Sequence, residues 1–261
     1  MKVFKEDKSK LLKTLLQKGG WTLFSFSFLI LFWIALAFVV GNGYLLPSFS
    51  QTLKAGFELF GDTSFWRGYF ATLLRAVIAF FVSFIFAVGF YVIACARPSF
   101  GKFIAPIFSL LRSLPTMAVL LMIILWTSAD FAPIVVCCLV LLPMLYSATL
   151  GAVTSVDKKL LEMSKVYGVS KKRIIKSLYL PSVFPSLSRE SLSALTFSLK
   201  LTVSAEILSN TFQSLGGQMQ TASLYAQTPT VFALACVVFL TGFGIECLGN
   251  FLILRTERRF L

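Results

Sequence analysis

Long, unbroken apolar runs separated by short polar stretches dominate this chain. Runs of about 20 residues match helices that cross roughly 30 Å of hydrocarbon, whereas membrane strands need about ten residues of strict alternation. The pattern predicts an all-α polytopic membrane protein with six transmembrane helices. They are Trp21–Val40, Tyr69–Ala96, Phe103–Thr127, Ala132–Val153, Val183–Ser209 and Val231–Leu254. Helices are required because backbone donors and acceptors in lipid must satisfy one another within the segment. Pro115 is expected to kink the third span. In the first span, lysines precede an apolar run containing Ala35-Leu36-Ala37, as in a cleaved signal. The run continues through Phe38-Val39-Val40, so an uncleaved anchor is expected.

Between the spans, Gly41–Gly68 reads as a loop with Gly41, Gly43 and Pro47 as turn residues. Asn210–Thr230 reads as an uncharged segment rich in Gln, Ser and Gly, and the third and fourth spans are joined by a very short turn. Residues 1–20 hold Lys2, Lys5, Lys8, Lys10, Lys13 and Lys18 among leucines, the mark of a basic helix along the inner membrane surface. Residues 21–261 then form a single transmembrane domain, with a cytoplasmic loop over 154–182.

Composition agrees with burial in lipid. Charged residues make up 13% and hydrophobic residues 57%, against about 25% charged in a soluble domain. Mean hydropathy is +0.84. The net charge of +13 would suggest nucleic acid in a soluble protein. Its placement points elsewhere: with the N-terminus inside, nineteen of the 24 Lys and Arg residues are cytoplasmic and only Lys54 and Arg67 are external. That bias fits a membrane protein with both termini in the cytoplasm, and no nucleic-acid partner is needed. The five cysteines lie in or beside apolar runs and read as small buried residues. There is no histidine, no metal-ligand spacing and no paired carboxylate in the spans, so an enzyme, a bound metal and a bound cofactor are not expected.

The 154–182 loop has its own pattern. Asp157 suits a helix N-cap, and Leu160, Leu161 and Met163 give the helix an apolar side. Gly168 can end it in the left-handed conformation. Ser170 can cap a second short helix bearing Ile174, Ile175 and Leu178, and Pro181 is expected to stop that helix before the fifth span. Two uses fit these residues: a basic helix resting on lipid head groups, or one that docks against a protein.

The same segment resembles the signature of binding-protein-dependent ABC importer permeases, Glu-Ala-Ala-x3-Gly-x9-Ile-x-Leu-Pro. Glu162, Gly168, Leu180 and Pro181 stand at the matching spacings, with Met163 and Ser164 in place of the two alanines and Leu178 in place of the isoleucine. Thr72-Leu-Leu-Arg75, Leu111-Arg-Ser-Leu-Pro115, Leu125-Trp126 and Ser204-Ala-Glu206 look like segments of aliphatic sulfonate, taurine, nitrate and thiamine-precursor permeases. The resemblance implies a type I importer fold and a permease domain whose loop is the coupling helix. Glu162, Met163, Ser164, Tyr167, Gly168, Val169, Leu178, Leu180 and Pro181 would then contact an ATPase. It also implies the partners: a second permease copy, two cytoplasmic ATPase subunits that hold ATP and Mg, and an extracytoplasmic substrate-binding protein. The chain itself lacks Gly-x4-Gly-Lys-Ser/Thr and is not the hydrolysing subunit.

For the translocation path the candidates are Arg112, Ser193, Thr196, Lys200, Ser204 and Glu206. Arg189, Ser193, Thr196, Lys200 and Ser204 recur on one face of the fifth span, and Ser191, Ser198, Thr202 and Glu206 occupy another. A helix polar on two sides should sit centrally. Intramembrane charge is a functional candidate by default, and Lys200 could attract an anionic solute, snorkel outward or pair with Glu206. Arg112 could make an ion pair, anchor the cytoplasmic side or touch solute, and Glu246 needs a buried partner. A small, anionic or sulfonate-, nitrate- or pyrimidine-like solute fits the resemblance. A stand-alone secondary transporter or channel is the alternative, although no internal repeat supports it.

Overall fold

The computed structural model describes residues 24–257. The expected basic helix over 1–20 and the start of the first span lie outside the described residues. Every regular element described is helical: α1 (Phe24–Val40), α2 (Phe49–Phe60), α3 (Thr63–Ala96), α4 (Pro98–Ser113), α5 (Thr116–Trp126) and α6 (Ala132–Thr154). They are followed by α7 (Lys158–Val166), α8 (Lys171–Ile174), a π turn (Ile175–Tyr179), α9 (Leu180–Ser209), α10 (Leu215–Leu224) and α11 (Thr228–Glu257).

Two compact units divide the chain. The first comprises residues up to Leu59 together with Ala222–Ala233. Here Trp33 is the organising side chain: its indole donates to the Pro47 carbonyl at 3.2 Å, and its ring meets Phe49 and Phe232 at 5.8 and 5.6 Å. The expected loop Gly41–Gly68 contains a helix, α2, whose start is a capping box. Ser48 Oγ accepts from the Gln51 amide, and Gln51 Oε1 accepts from the Ser48 amide.

The second unit, Phe60–Thr221 with Leu234–Leu261, carries the main core. Ala76, Ala79, Ser83 and Ala87 put small residues on one face of α3, which lets neighbouring helices approach closely. Phe108 of α4, Leu141 and Leu145 of α6 and Ala194 of α9 pack there, all buried. The opposite face of α3 exposes Phe81 and Ile85, as a lipid-facing surface would. The helix starts earlier than Tyr69 because Asp62 caps it, accepting from the Ser64 amide at 2.8 Å.

Four helices are long and apolar enough to cross a bilayer: α3, α6, the continuous helix of residues 171–209, and α11. A fifth crossing exists if α4 and α5 are taken as one. The expected third span, Phe103–Thr127, is not a kinked rod. It is two helices whose axes differ by 98°. Pro115 pushes the residue before it out of the α region, and Leu114 is extended at φ −70, ψ 134. Of the six expected spans, four are single helices long and apolar enough to cross, a fifth would be the broken pair, and the first is only partly described. A second correction concerns Pro181, which does not end the helix after α8. A π turn widens the helix just before it, so the Leu180 amide bonds to the Ile175 carbonyl five residues back and the chain runs on into α9. Asn210–Thr230, the uncharged segment rich in Gln, Ser and Gly, contains α10, capped by Ser214 Oγ on the Gly217 amide at 2.8 Å.

Candidate functional site

The segment after α6 forms as its residues dictate. Asp157 Oδ1 accepts from the Lys159 amide at 2.8 Å and starts α7. Gly168 ends it at φ +62, and the Val169 amide closes the turn on the Ser164 carbonyl at 3.0 Å. Ser170 begins α8 through its carbonyl, which accepts from Arg173 and Ile174, but its hydroxyl makes no cap. Glu162, Met163, Tyr167 and Gly168 are exposed together on this turn. Val166 and Tyr167 are 84% and 78% exposed, an apolar pair left uncovered by the described residues. Exposed Lys158, Lys159, Lys171, Lys172, Arg173 and Lys176 surround it. Leu178, Leu180 and Pro181 lie further along the chain, on the π turn and first turn of α9, where they join the α7–Gly168 turn to α9.

Along α9 the two polar sides separate. Ser198, Thr202 and Glu206 are fully buried against neighbouring helices. Ser198 Oγ donates to the Ala76 carbonyl at 2.7 Å, and Thr202 Oγ1 lies 3.3 Å from Cys137 Sγ. Ser193, Lys200 and Ser204 form an open stripe with Phe197 and Leu208. Thr196, expected on the stripe, is buried and bonds to the Leu192 carbonyl of its own helix. Lys200 makes no ion pair among the described residues. Arg112 is anchored on α6, donating to the Pro143 carbonyl at 3.1 Å and to Ser147 Oγ. Glu246 is exposed on α11 and has no ion-pair partner among the described residues.

Glu206 itself is the hub of a buried network, and it does not pair with Lys200. Six residues of helix turn their side chains about 120° apart. Instead its carboxylate accepts from Thr72 Oγ1 at 2.8 Å, from Arg75 Nη1 at 3.0 Å and from the Gly216 amide at 3.2 Å. Thr72 Oγ1 also accepts from the Leu215 amide at 2.9 Å, so α3 and α9 together cap the start of α10. The second arm of Arg75, Nη2, reaches Asp130 at 3.1 Å in the turn between α5 and α6. A Cβ on Gly216 would stand 2.4 Å from Glu206 Cβ and 2.7 Å from the Val203 carbonyl, so only glycine lets α10 approach this far.

The two arms of Arg75 differ in strength. Glu206 is 0% exposed and Arg75 15%, whereas Asp130 is 61% exposed. Removing one partner of a buried pair costs about 3–5 kcal/mol, while a solvent-exposed pair is worth about 0–1 kcal/mol. The buried arm is therefore the fixed one. Thr72, Arg75, Asp130 and Gly216 were not legible as a cluster. The available signal was an arginine and a glutamate in apolar helices, each of which needs a partner. No group of His, Cys, Asp or Glu among the described residues is arranged to hold a metal.

The comparisons with known proteins agree with this architecture. The family described as "Binding-protein-dependent transport system inner membrane component" matches residues 93–258. The taurine transport system permease protein TauC of Escherichia coli (strain K12) is 24% identical over 230 residues, covering 84% of this chain and 83% of that protein. Among solved structures, an amino acid ABC transporter with histidines superimposes with a TM-score of 0.60 at 14% identity, over 74% of this chain and 92% of the other. An inward-facing MetNI methionine ABC transporter gives 0.58 at 18% identity, over 75% and 95%.

Proposed function

We propose, from the premise that this chain belongs to the binding-protein-dependent transport system inner membrane component family, that it is the membrane-spanning subunit of an ATP-driven importer. The observation that carries this reading is the α7–Gly168 turn. It is a helix whose apolar tip is uncovered among the described residues, at the position of the family signature and joined through the π turn to α9. A cytoplasmic ATPase is the partner whose groove would cover Met163, Val166 and Tyr167, with Glu162 at its edge. The mechanism is alternating access. ATP-driven closure of two ATPases draws two such levers together, and the levers rock the helices to which they are joined.

In this reading two copies of the chain assemble, both termini are cytoplasmic, and the α10 end faces a substrate-binding protein outside. The charge bias along the sequence supports that orientation. The open stripe of Ser193, Lys200 and Ser204 lines the path, and the uncompensated Lys200 favours a small solute bearing an anionic group. Arg112, Thr196 and Glu206 hold the wall. The similarity to a taurine permease makes taurine the first solute to try.

Proteoliposomes reconstituted with the chain, its ATPase and its binding protein test this reading. Uptake of labelled taurine or another small sulfonate should require internal ATP. Uptake by the chain alone, without nucleotide or partners, would establish a stand-alone transporter instead.

A further inference from the structure

The break at Leu114-Pro115 leaves α5 an 11-residue helix whose two ends are held in different ways. At its start, α4 is pinned to α6 by Arg112 on the Pro143 carbonyl. Leu114 and Pro115 are both extended and exposed. That junction is the natural pivot. Along its length α5 touches α6 and α9 through one buried side, where Leu120 and Ile123 meet Ala132, Val136 and Ala205, while Met117, Leu121, Leu125 and Trp126 are exposed. At its far end the turn to α6 is tied to other elements by two polar contacts among the described residues. These are Arg75 to Asp130 at 3.1 Å and Thr211 Oγ1 to the Ala129 carbonyl at 2.8 Å.

We propose that α5 is a hinged flap that pivots at Leu114-Pro115 and whose far end is latched by the Arg75–Asp130 ion pair. The network is built for this release. When Asp130 leaves, Arg75 keeps its bond to Glu206, so opening strands no buried charge. Asp130 passes from an already exposed site into water. The Glu206 arm, with Thr72 and Gly216, stays closed and holds α3, α9 and α10 as the frame against which the flap moves. α5 rests on Ala205, the neighbour of Ser204 on the open polar stripe of α9, so its swing changes the wall of that stripe. Use of the flap as a gate rests on the transport reading, whereas its mechanics do not.

Hydrogen exchange of the purified full-length chain in lipid nanodiscs tests the latch without any ATPase or solute, so failure here leaves the transport reading standing. Asp130→Asn should speed exchange of the amides over 116–131 by about 1.5-fold to fivefold, the range expected for loss of an exposed ion pair. The amides of α3, α6 and α9 should be unchanged, and Asp130→Glu should restore wild-type rates. Raising ionic strength should speed the same amides in the wild-type chain but not in Asp130→Asn, because only the former has a pair to screen. The proposal is overturned by unchanged exchange over 116–131, by a rise shared equally with α3, α6 and α9, or by equal salt response in both proteins.

Discussion

Glu206→Ala should destabilise the folded chain by about 3–5 kcal/mol. Its carboxylate is fully buried and is the common acceptor for Thr72, Arg75 and the Gly216 amide. Alanine leaves three buried donors without their acceptor and an almost buried guanidinium with only the exposed Asp130. Glu206→Gln separates the causes. It keeps an oxygen for Thr72 and Gly216 but loses the charge and the acceptor for Arg75, toward which its amide group turns a donor. The double variant Arg75→Met with Glu206→Gln should therefore lose less than the sum of the single losses, by about 0.5–3 kcal/mol of coupling. Denaturation of the purified chain in mixed micelles measures these differences. Strict additivity of the two single effects would show that the ion pair contributes nothing.

The second large effect belongs to the other end of the chain's second unit. Gly168→Pro should abolish association with the ATPase while leaving membrane insertion intact. Proline holds φ near −65°, and Gly168 sits at +62, so the turn that presents Val166 and Tyr167 cannot form. The same residue tolerates alanine sterically, because nothing lies within 4 Å of a Cβ there. Gly168→Ala should cost only about 1–2 kcal/mol of local strain and weaken association partially. Glu162→Lys reverses an exposed charge on the docking face and should also lose the partner. Co-purification of the ATPase from membranes, normalised to inserted chain, reads all three. Full association by Gly168→Pro would remove the turn from the interface.

Local chemistry was the readable part of this sequence. The Asp157 cap, the left-handed Gly168 and the end of α9 at Ser209 each depend on a few neighbouring residues, and each appears where expected. The misses have two physical sources. Some signals were local and overlooked: Ser48 and Gln51 form a capping box, and Ser214 caps α10. At Pro115 the chain breaks by 98°, and α4 packs in a cluster with α3 and α6 whereas α5 packs in another with α6 and α9. Pro181 lacks the amide donor that would continue a helix, but a π turn supplies another bonding pattern. The remaining misses are long-range. Thr72 and Arg75 lie one helical turn apart and both face Glu206, which is more than 130 residues away in the chain. Nothing in the spacing along α9 distinguishes that partner from Lys200 except the helical angle.

The most direct measurement is made at the tip of α7. A photoreactive side chain at position 167, in the chain co-expressed with its ATPase, should on illumination join the permease to the ATPase from the cytoplasmic side. It should cease to do so in the Gly168→Pro background. Adducts to lipid alone, or labelling of position 167 from the external face of intact cells, would contradict the account.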